Sequence, residues 1–216
     1  MAQEILYKVE KIKKTPAGRI YCIRSTLGTN FEMLVSNEQY ERFDIEEGEV
    51  IDDNHFLQIR EEMMFDNARR CAFSILACGE NNKKSLTEKL QKKGFSYEIS
   101  RNMADYMAHR GYIDEMKQIG LLCDTYLKKK FGKIKIINEL ILKGYRREDV
   151  TEYVQSELKD INFAENCAFI IKNKYLPLPK ENNEVKNMIG ALMRYGYGIA
   201  DIKEGIVIAS KEAENE

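Results

Sequence analysis

The sequence predicts a mainly α fold: three three-helix repeats in tandem, forming an elongated and curved body behind a small N-terminal β-rich extension. The first observation behind this is a phrase that occurs three times, as Leu90-Gln91-Lys92-Lys93-Gly94-Phe95, Leu140-Ile141-Leu142-Lys143-Gly144-Tyr145 and Leu192-Met193-Arg194-Tyr195-Gly196-Tyr197. Its glycines stand 50 and then 52 residues apart, a period that belongs to a repeated unit and not to one helix. Each copy reads as a short helix with a buried leucine, ended by a left-handed glycine, with an aromatic side chain folding back on the helix it has left. The second observation is the apolar ladder after each copy: Ile99/Met103/Met107, Val150/Val154/Leu158 and Ile202/Ile206/Ala209. Steps of about four residues place each ladder on one helical stripe. The third is the opening of the chain, where apolar and polar residues alternate in the manner of strands.

Taken in order, Ile5/Tyr7/Val9 form one strand face, and either Ile20/Cys22 or Tyr21/Ile23 the next, around a turn at Thr15-Pro16-Ala17-Gly18. Phe31–Val35 is a third strand, and such a meander needs a helix to cover it. Ser36 and Gln39 form a capping box for a short helix through Phe43, followed by a turn at Glu47-Gly48-Glu49. From Asp53 the pattern turns helical through Phe56, Ile59, Met63 and Ala68. Ser85 and Glu88 suggest a second capping box and a short helix over 86–93. Asp114 and Asn162 each cap the helix that follows, and the helix through Tyr126 ends near Phe131-Gly132. Residues 176–183 make the longest linker of the helical part. The expected divisions are 1–52, an extension; 53–114, a linking helix and repeat 1; 115–161, repeat 2; 162–210, repeat 3; and 211–216, an acidic tail.

Charge is nearly balanced over the 216 residues, with 34 lysines and arginines against 35 aspartates and glutamates. The balance hides an asymmetry. Residues 1–66 carry 8 basic and 14 acidic side chains, while 67–210 carry 25 and 18. A basic helical body beneath an acidic head suits an anionic or acidic partner. No apolar run approaches the roughly 20 residues that span a bilayer, and Met1-Ala2-Gln3-Glu4 lacks the blocks of a signal peptide. Five cysteines without a Cys-x-x-Cys pair, four of them in helical segments among apolar residues, read as reduced core side chains. The expectation is a monomeric cytoplasmic protein.

The supply of catalytic chemistry is poor. His55 and His109 have no ligand or carboxylate at metal spacing, so they read as surface or capping residues. There is no phosphate loop, nucleophile elbow or calcium loop. Asp52-Asp53 and Glu61-Glu62 read as solvated helix starts. The chain is expected not to be an enzyme and to need neither cofactor nor metal. What remains is basic: Lys128-Lys129-Lys130 with Lys133 and Lys135 around one loop, then Arg69-Arg70, Lys83-Lys84, Lys92-Lys93 and Arg146-Arg147. Several stand at helix C-termini, where the dipole favours cations without any partner.

The repeated phrase, together with Gly111-Tyr112-Ile113-Asp114 and Lys130-Phe131-Gly132, resembles the RecX family of bacterial regulators of the RecA recombinase. The resemblance spans about residues 53–207, and more loosely the extension. Where the family joint continues with a second aspartate, this chain has Glu115. The resemblance implies a non-catalytic protein that lies along a RecA–DNA filament and limits its ATP hydrolysis and strand exchange, in DNA repair, homologous recombination and the SOS response. On that reading Lys92, Lys93, Lys128, Lys129, Lys130, Lys133, Lys143, Arg146 and Arg147 supply the binding surface for the filament or for single- or double-stranded DNA. Two other classes remain open: a sequence-neutral DNA-binding module of helix-turn-helix-like repeats, and a purely structural adaptor.

Overall fold

The computed structural model describes residues 5–213. The acidic end of the sequence, apart from Lys211–Ala213 at the close of the last helix, lies outside the described residues, as do Met1–Glu4. The architecture is mainly helical, with a four-stranded antiparallel sheet at the N-terminal end and ten α-helices among the described residues. Two compact units emerge, Met1–Gly79 with Leu86–Ala104, and Glu80–Ser85 with Asp105–Glu216.

In the first unit β1 (Leu6–Thr15), β2 (Gly18–Ser25) and β3 (Asn30–Val35) form the expected meander, with sheet order β3-β2-β1-β4. Of the two faces open to the second strand, Tyr21 and Ile23 are buried and Ile20 and Cys22 are not. The sequence did not indicate β4 (Val50–Asp52). It pairs antiparallel with β1 beside a register shift at Val9/Lys11, where Val9 exchanges hydrogen bonds with Gly48 and Glu49 instead. Three residues with a single apolar side chain turned inward are too short to show period two. The Ser36–Gln39 capping box holds α1 (Asn37–Phe43), as expected.

Asp52 caps α2 (Asp53–Ala77), whose Phe56, Ile59 and Met63 cover the sheet. Tyr7 lies flat on Phe56, with ring centres 3.8 Å apart, and its hydroxyl donates to Asp53 Oδ1 at 2.8 Å. Gln39, itself buried, donates to Asp66 Oδ2 at 2.6 Å and ties α1 to α2. The sheet thus gains the helical cover it needs.

The helical remainder comprises α3 (Lys83–Lys92), α4 (Tyr97–His109), α5 (Glu115–Lys128), α6 (Lys133–Lys143), α7 (Arg147–Ser156), α8 (Phe163–Tyr175), α9 (Asn182–Arg194) and α10 (Ile199–Ala213). Asp114 and Asn162 cap α5 and α8 as their positions suggest. The cap of α3 is a correction: Asn82 Oδ1 accepts from the Ser85 backbone N–H at 2.8 Å, so the helix starts three residues before the apparent Ser85 box. Asn and Ser are nearly equal as caps, and the two boxes compete on sequence alone. The cysteine expectation also needs correction. All five thiols are free and Cys123 and Cys167 are buried, but Cys78 is exposed past the end of α2, and Cys22 and Cys71 are half-exposed. Burial pushes the Cys123 thiol up to about 11 and Cys167 to about 12, so both stay protonated and act as small apolar side chains.

The repeated phrase closes its three helices in one way. Gly94, Gly144 and Gly196 have φ of +95°, +102° and +92°. In each case the following aromatic N–H reaches the leucine carbonyl five residues back, at 3.3 Å, while the glycine N–H bonds the next carbonyl at 2.9 Å. This is a Schellman closure. Tyr145 and Tyr197 are buried, and Phe95 is half-buried. The same pair of bonds closes α4 through Gly111 and Tyr112, and α5 through Lys130 and Phe131. The left-handed residue after α5 is therefore Lys130, at φ +55°, and not Gly132, which caps α6 in extended conformation.

Two of the closures are docked inside the second unit. Gly196 sits against the loop before α6: the Gly132 N–H donates to the Tyr195 carbonyl at 2.8 Å, the Ile134 N–H to Gly196 at 3.1 Å, and the Tyr197 hydroxyl to the Lys130 carbonyl at 2.6 Å. Gly144 sits against the start of α3. There Asn82 Nδ2 donates to the Lys143 carbonyl at 2.9 Å, and the Tyr145 hydroxyl to Gln118 Oε1 at 3.0 Å, while Gln118 Nε2 reaches the Asn81 carbonyl at 3.2 Å. A Cβ on Gly196 would collide with the Lys135 backbone, and one on Gly144 with the flexible Lys84 stem, whereas Gly94 has open space. Gly94→Ala should therefore cost about 1 kcal/mol, the left-handed penalty alone, and Gly196→Ala at least about 3 kcal/mol, because backbone must move as well. Urea midpoints of the two variants decide it; equal losses would mean that the Gly196 junction opens at no cost.

Candidate binding surface

The nine basic residues singled out above fall into three situations. Lys92 and Lys93 end α3 in the first unit, both exposed. Lys143, Arg146 and Arg147 flank the α6–α7 turn in the second unit, also exposed, and Arg146 Nε stands 3.7 Å from Glu148. Lys128, Lys129, Lys130 and Lys133 share the α5–α6 loop. Of these, Lys128, Lys129 and Lys133 are exposed and have no carboxylate partner among the described residues.

Lys130 stands apart from its neighbours. It occupies the left-handed position, its carbonyl takes the Tyr197 hydroxyl, and its Nζ donates to Asn166 Oδ1 at 2.7 Å, with the Phe169 ring centre 5.2 Å away. Its side chain is committed to the α5–α8 packing, so its charge is not free in the way its neighbours' charges are. Nothing in the run of three lysines marks it, because the distinction comes from a backbone angle.

The structure adds two lysines that sequence reading left out of the binding set. Phe131 lies against Tyr126 (ring centres 5.7 Å, 18°) and edge-on to Tyr195 (6.3 Å, 72°). Lys135 Nζ stands 4.0 Å from the Phe131 ring centre and 5.6 Å from that of Tyr195. Lys174 Nζ, from α8, bonds the Tyr195 hydroxyl at 2.8 Å and stands 4.9 Å from its ring centre, and Lys129 Nζ is 5.9 Å from the centre of Tyr126. The hydrogen bond from Lys174 first, then its charge and that of Lys135, hold the Tyr195 phenol below the usual tyrosine range, while the Tyr195 partner raises Lys174. Lys135 was visible as part of the basic run. Lys174 lies about 40 residues away and had no local signal.

Elsewhere arginines stand over rings, such as Arg19 on Tyr40 at 3.8 Å. A hollow of about 890 Å3 in the first unit runs along α2, lined by Leu57, Phe65 and Ile99 among charges. Two of its arginines are spoken for, Arg42 by Glu62 and Arg69 by Asp66. His55 and His109 take the first turn of α2 and the last position of α4. Among the described residues no group of three or more His, Cys, Asp or Glu is placed to hold a metal ion, and no helix is long and apolar enough to cross a membrane.

Fold and surface together define a class: a mainly helical protein with a small N-terminal antiparallel sheet, whose notable surface chemistry is lysine on aromatic rings. No family model matches the chain. It is 25% identical over 181 residues to the regulatory protein RecX of Clostridioides difficile (strain 630), covering 83% of this chain and 82% of that one. To the regulatory protein RecX of Finegoldia magna (strain ATCC 29328) it is 24% identical over 165 residues, or 74% and 80% of the two chains. A crystal structure of regulatory protein RecX superposes on 92% of this chain and 99% of its own, with TM-score 0.61 and 16% identity. RecX from Lactobacillus salivarius covers 68% and 97%, with TM-score 0.53 and 13% identity. Over most of its length the chain is thus similar in sequence to regulatory proteins RecX, and it shares the fold of solved RecX structures. Its relatives carry a regulator's name and not an enzyme's.

Two measurements check the surface. Lys130→Ala should lower stability by about 1 kcal/mol through loss of the Asn166 bond, and Lys128→Ala should change it by less than about 0.5 kcal/mol. Equal urea midpoints would remove the structural role of Lys130. In an alkaline titration followed by phenolate absorbance, Tyr195→Phe should delete the lowest-titrating tyrosine component, and Lys174→Met should move that component upward. Loss of a component at ordinary tyrosine pH would refute the Lys174–Tyr195 arrangement.

Proposed function

We propose that this chain is a non-catalytic regulator that binds a RecA recombinase filament and restrains its ATP hydrolysis and strand exchange, built on three consecutive three-helix repeats. The repeat reading draws support from the three identical Schellman closures and from two junctions of one kind, in which a lysine near the start of a helix lies against a closure glycine, Lys84 at Gly144 and Lys135 at Gly196. A row of such units presents similar faces at a regular rise, which suits a helical filament. The likeness to proteins named regulatory protein RecX supports the regulatory role.

The observation that carries the choice of surface is the first turn of α6. That turn holds Lys133 and Lys135 and no acidic residue. Cations at a helix N-terminus oppose the dipole by some 0.3–1 kcal/mol each, so local stability does not account for Lys133. Lys128, by contrast, is favoured where it stands. An anionic partner repays the cost at Lys133, and the exposed Lys128 across the same loop adds to a rim of unpaired lysines that steers association and fixes register.

The test is RecA ATP hydrolysis on single-stranded DNA with this protein at sub-stoichiometric ratio. The wild-type chain should inhibit, and Lys128→Glu/Lys133→Glu should need at least about tenfold more protein for the same effect, about 1.4 kcal/mol or more of lost binding, with an unchanged melting curve. Full inhibition by the variant would take these lysines out of the surface, and no inhibition by the wild-type chain would end the recombinase reading.

A further inference from the structure

Three of the lysines described above are held in an unusual way. Lys129, Lys135 and Lys174 come from α5, α6 and α8, yet their ammoniums gather on the connected rings of Tyr126, Phe131 and Tyr195. None of them pairs with a carboxylate among the described residues. Like charges gathered on one set of rings repel. The ring faces offset part of the repulsion by cation–π attraction, about 0.5–1 kcal/mol for each exposed instance, and the Tyr195 hydroxyl accepts from Lys174. Aromatic surface here does what acidic side chains do elsewhere: it fixes ammoniums in place without neutralising them.

Such an arrangement is suited to an anion. The lysine stems have already surrendered part of their rotamer freedom, so a ligand meets charges in position and loses less entropy on binding. The cluster contains no arginine. Its donors are compact point charges and not the planar forks that read carboxylates two oxygens at a time. Tetrahedral oxyanions with charge spread over several oxygens match point donors of this kind. Tyr195 and Phe131 are half-buried, so ring surface remains for a base stacked beside the phosphate.

We propose that Lys135 and Lys174, flanked by Lys129 and framed by Tyr195 and Phe131, form a binding site for phosphate esters, a chemistry shared by the backbone of single-stranded nucleic acid and by free nucleoside triphosphates. The site does not rest on the recombinase reading, and its test contains no recombinase, so each can fail alone. The full-length chain is titrated into a fluorescein-labelled oligothymidylate and followed by anisotropy at several salt concentrations. Lys135→Gln/Lys174→Gln should weaken binding at least about tenfold and flatten the log–log salt slope by about 1.4, the loss of two phosphate contacts to a single strand. Lys8→Gln/Lys14→Gln, which removes the same charge from exposed positions on β1, should stay within about twofold of wild type.

Tyr195→Phe keeps both charges but releases Lys174, and should give an intermediate loss while the chain melts as the wild type does. Competition separates the sources. Displacement by ATP at matched phosphate concentration assigns the site to free phosphates, and displacement by unlabelled oligonucleotide alone assigns it to the strand. Undiminished binding by Lys135→Gln/Lys174→Gln, an equal loss in the β1 control, or no binding by the wild-type chain at low salt would overturn the proposal.

Discussion

The helical body depends on how its helices stop. At five helix ends the chain makes the same move within two residues. A left-handed residue turns the backbone, and the next residue, always aromatic, sends its N–H to the carbonyl five positions back. The move satisfies two of the carbonyls that a helix leaves open. It also sets an aromatic side chain directly after the turn, and Tyr145 and Tyr197 are core there, while Phe95 is half-buried and Tyr112 exposed. Short helices of 10 or 11 residues, such as α3 and α6, are marginal alone. A buried leucine at one end of the turn and an aromatic at the other convert them into packed elements.

The same move makes the junctions. Gly196 and Gly132 bring two backbones close enough for two N–H to carbonyl bonds, with the Lys135 stem filling the space beside them. At the earlier junction Lys84 lies beside Gly144, and amide side chains, Asn82 and Gln118, replace part of the backbone bonding. One lysine stem in each case packs as a hydrocarbon while its ammonium stays available. That division within a single side chain lets the junction be structural and charged at once.

Much of this was legible in the residues. Hydrophobic period and glycine spacing gave the helices and their stops, because both are local signals set by backbone chemistry. Ser36, Asp114 and Asn162 announced their caps for the same reason. Misreadings arose where two local signals competed, or where the deciding partner was distant. Asn82 overrode Ser85 as the cap of α3, and β4 exists only because β1 offers it an edge. The surface was less legible than the fold. A run of basic residues looks uniform in sequence, yet it contains an exposed Lys128, a Lys130 committed to Asn166, and a Lys135 on Phe131. Lys174 joins them only through the packing of α8, which no spacing rule reports.

Position on the helix dipole sorts these lysines further. Lys92, Lys128 and Lys143 each close a helix, where a cation is favoured and its presence carries no message about partners. Arg147 opens α7, but Glu148 and Asp149 follow it in the same turn and compensate. Lys133 and Lys135 open α6 with no acid beside them, and Lys135 shares the Tyr195 ring with a second ammonium. Both sit against the local field, and Lys135 also has the Lys174 ammonium on the same ring. A folded chain keeps charges in that disposition only when other interactions repay it. Aromatic faces repay part, and an anion arriving from outside would repay the rest. The unfavourable lysines, and not the more numerous favourable ones, therefore mark where a partner belongs.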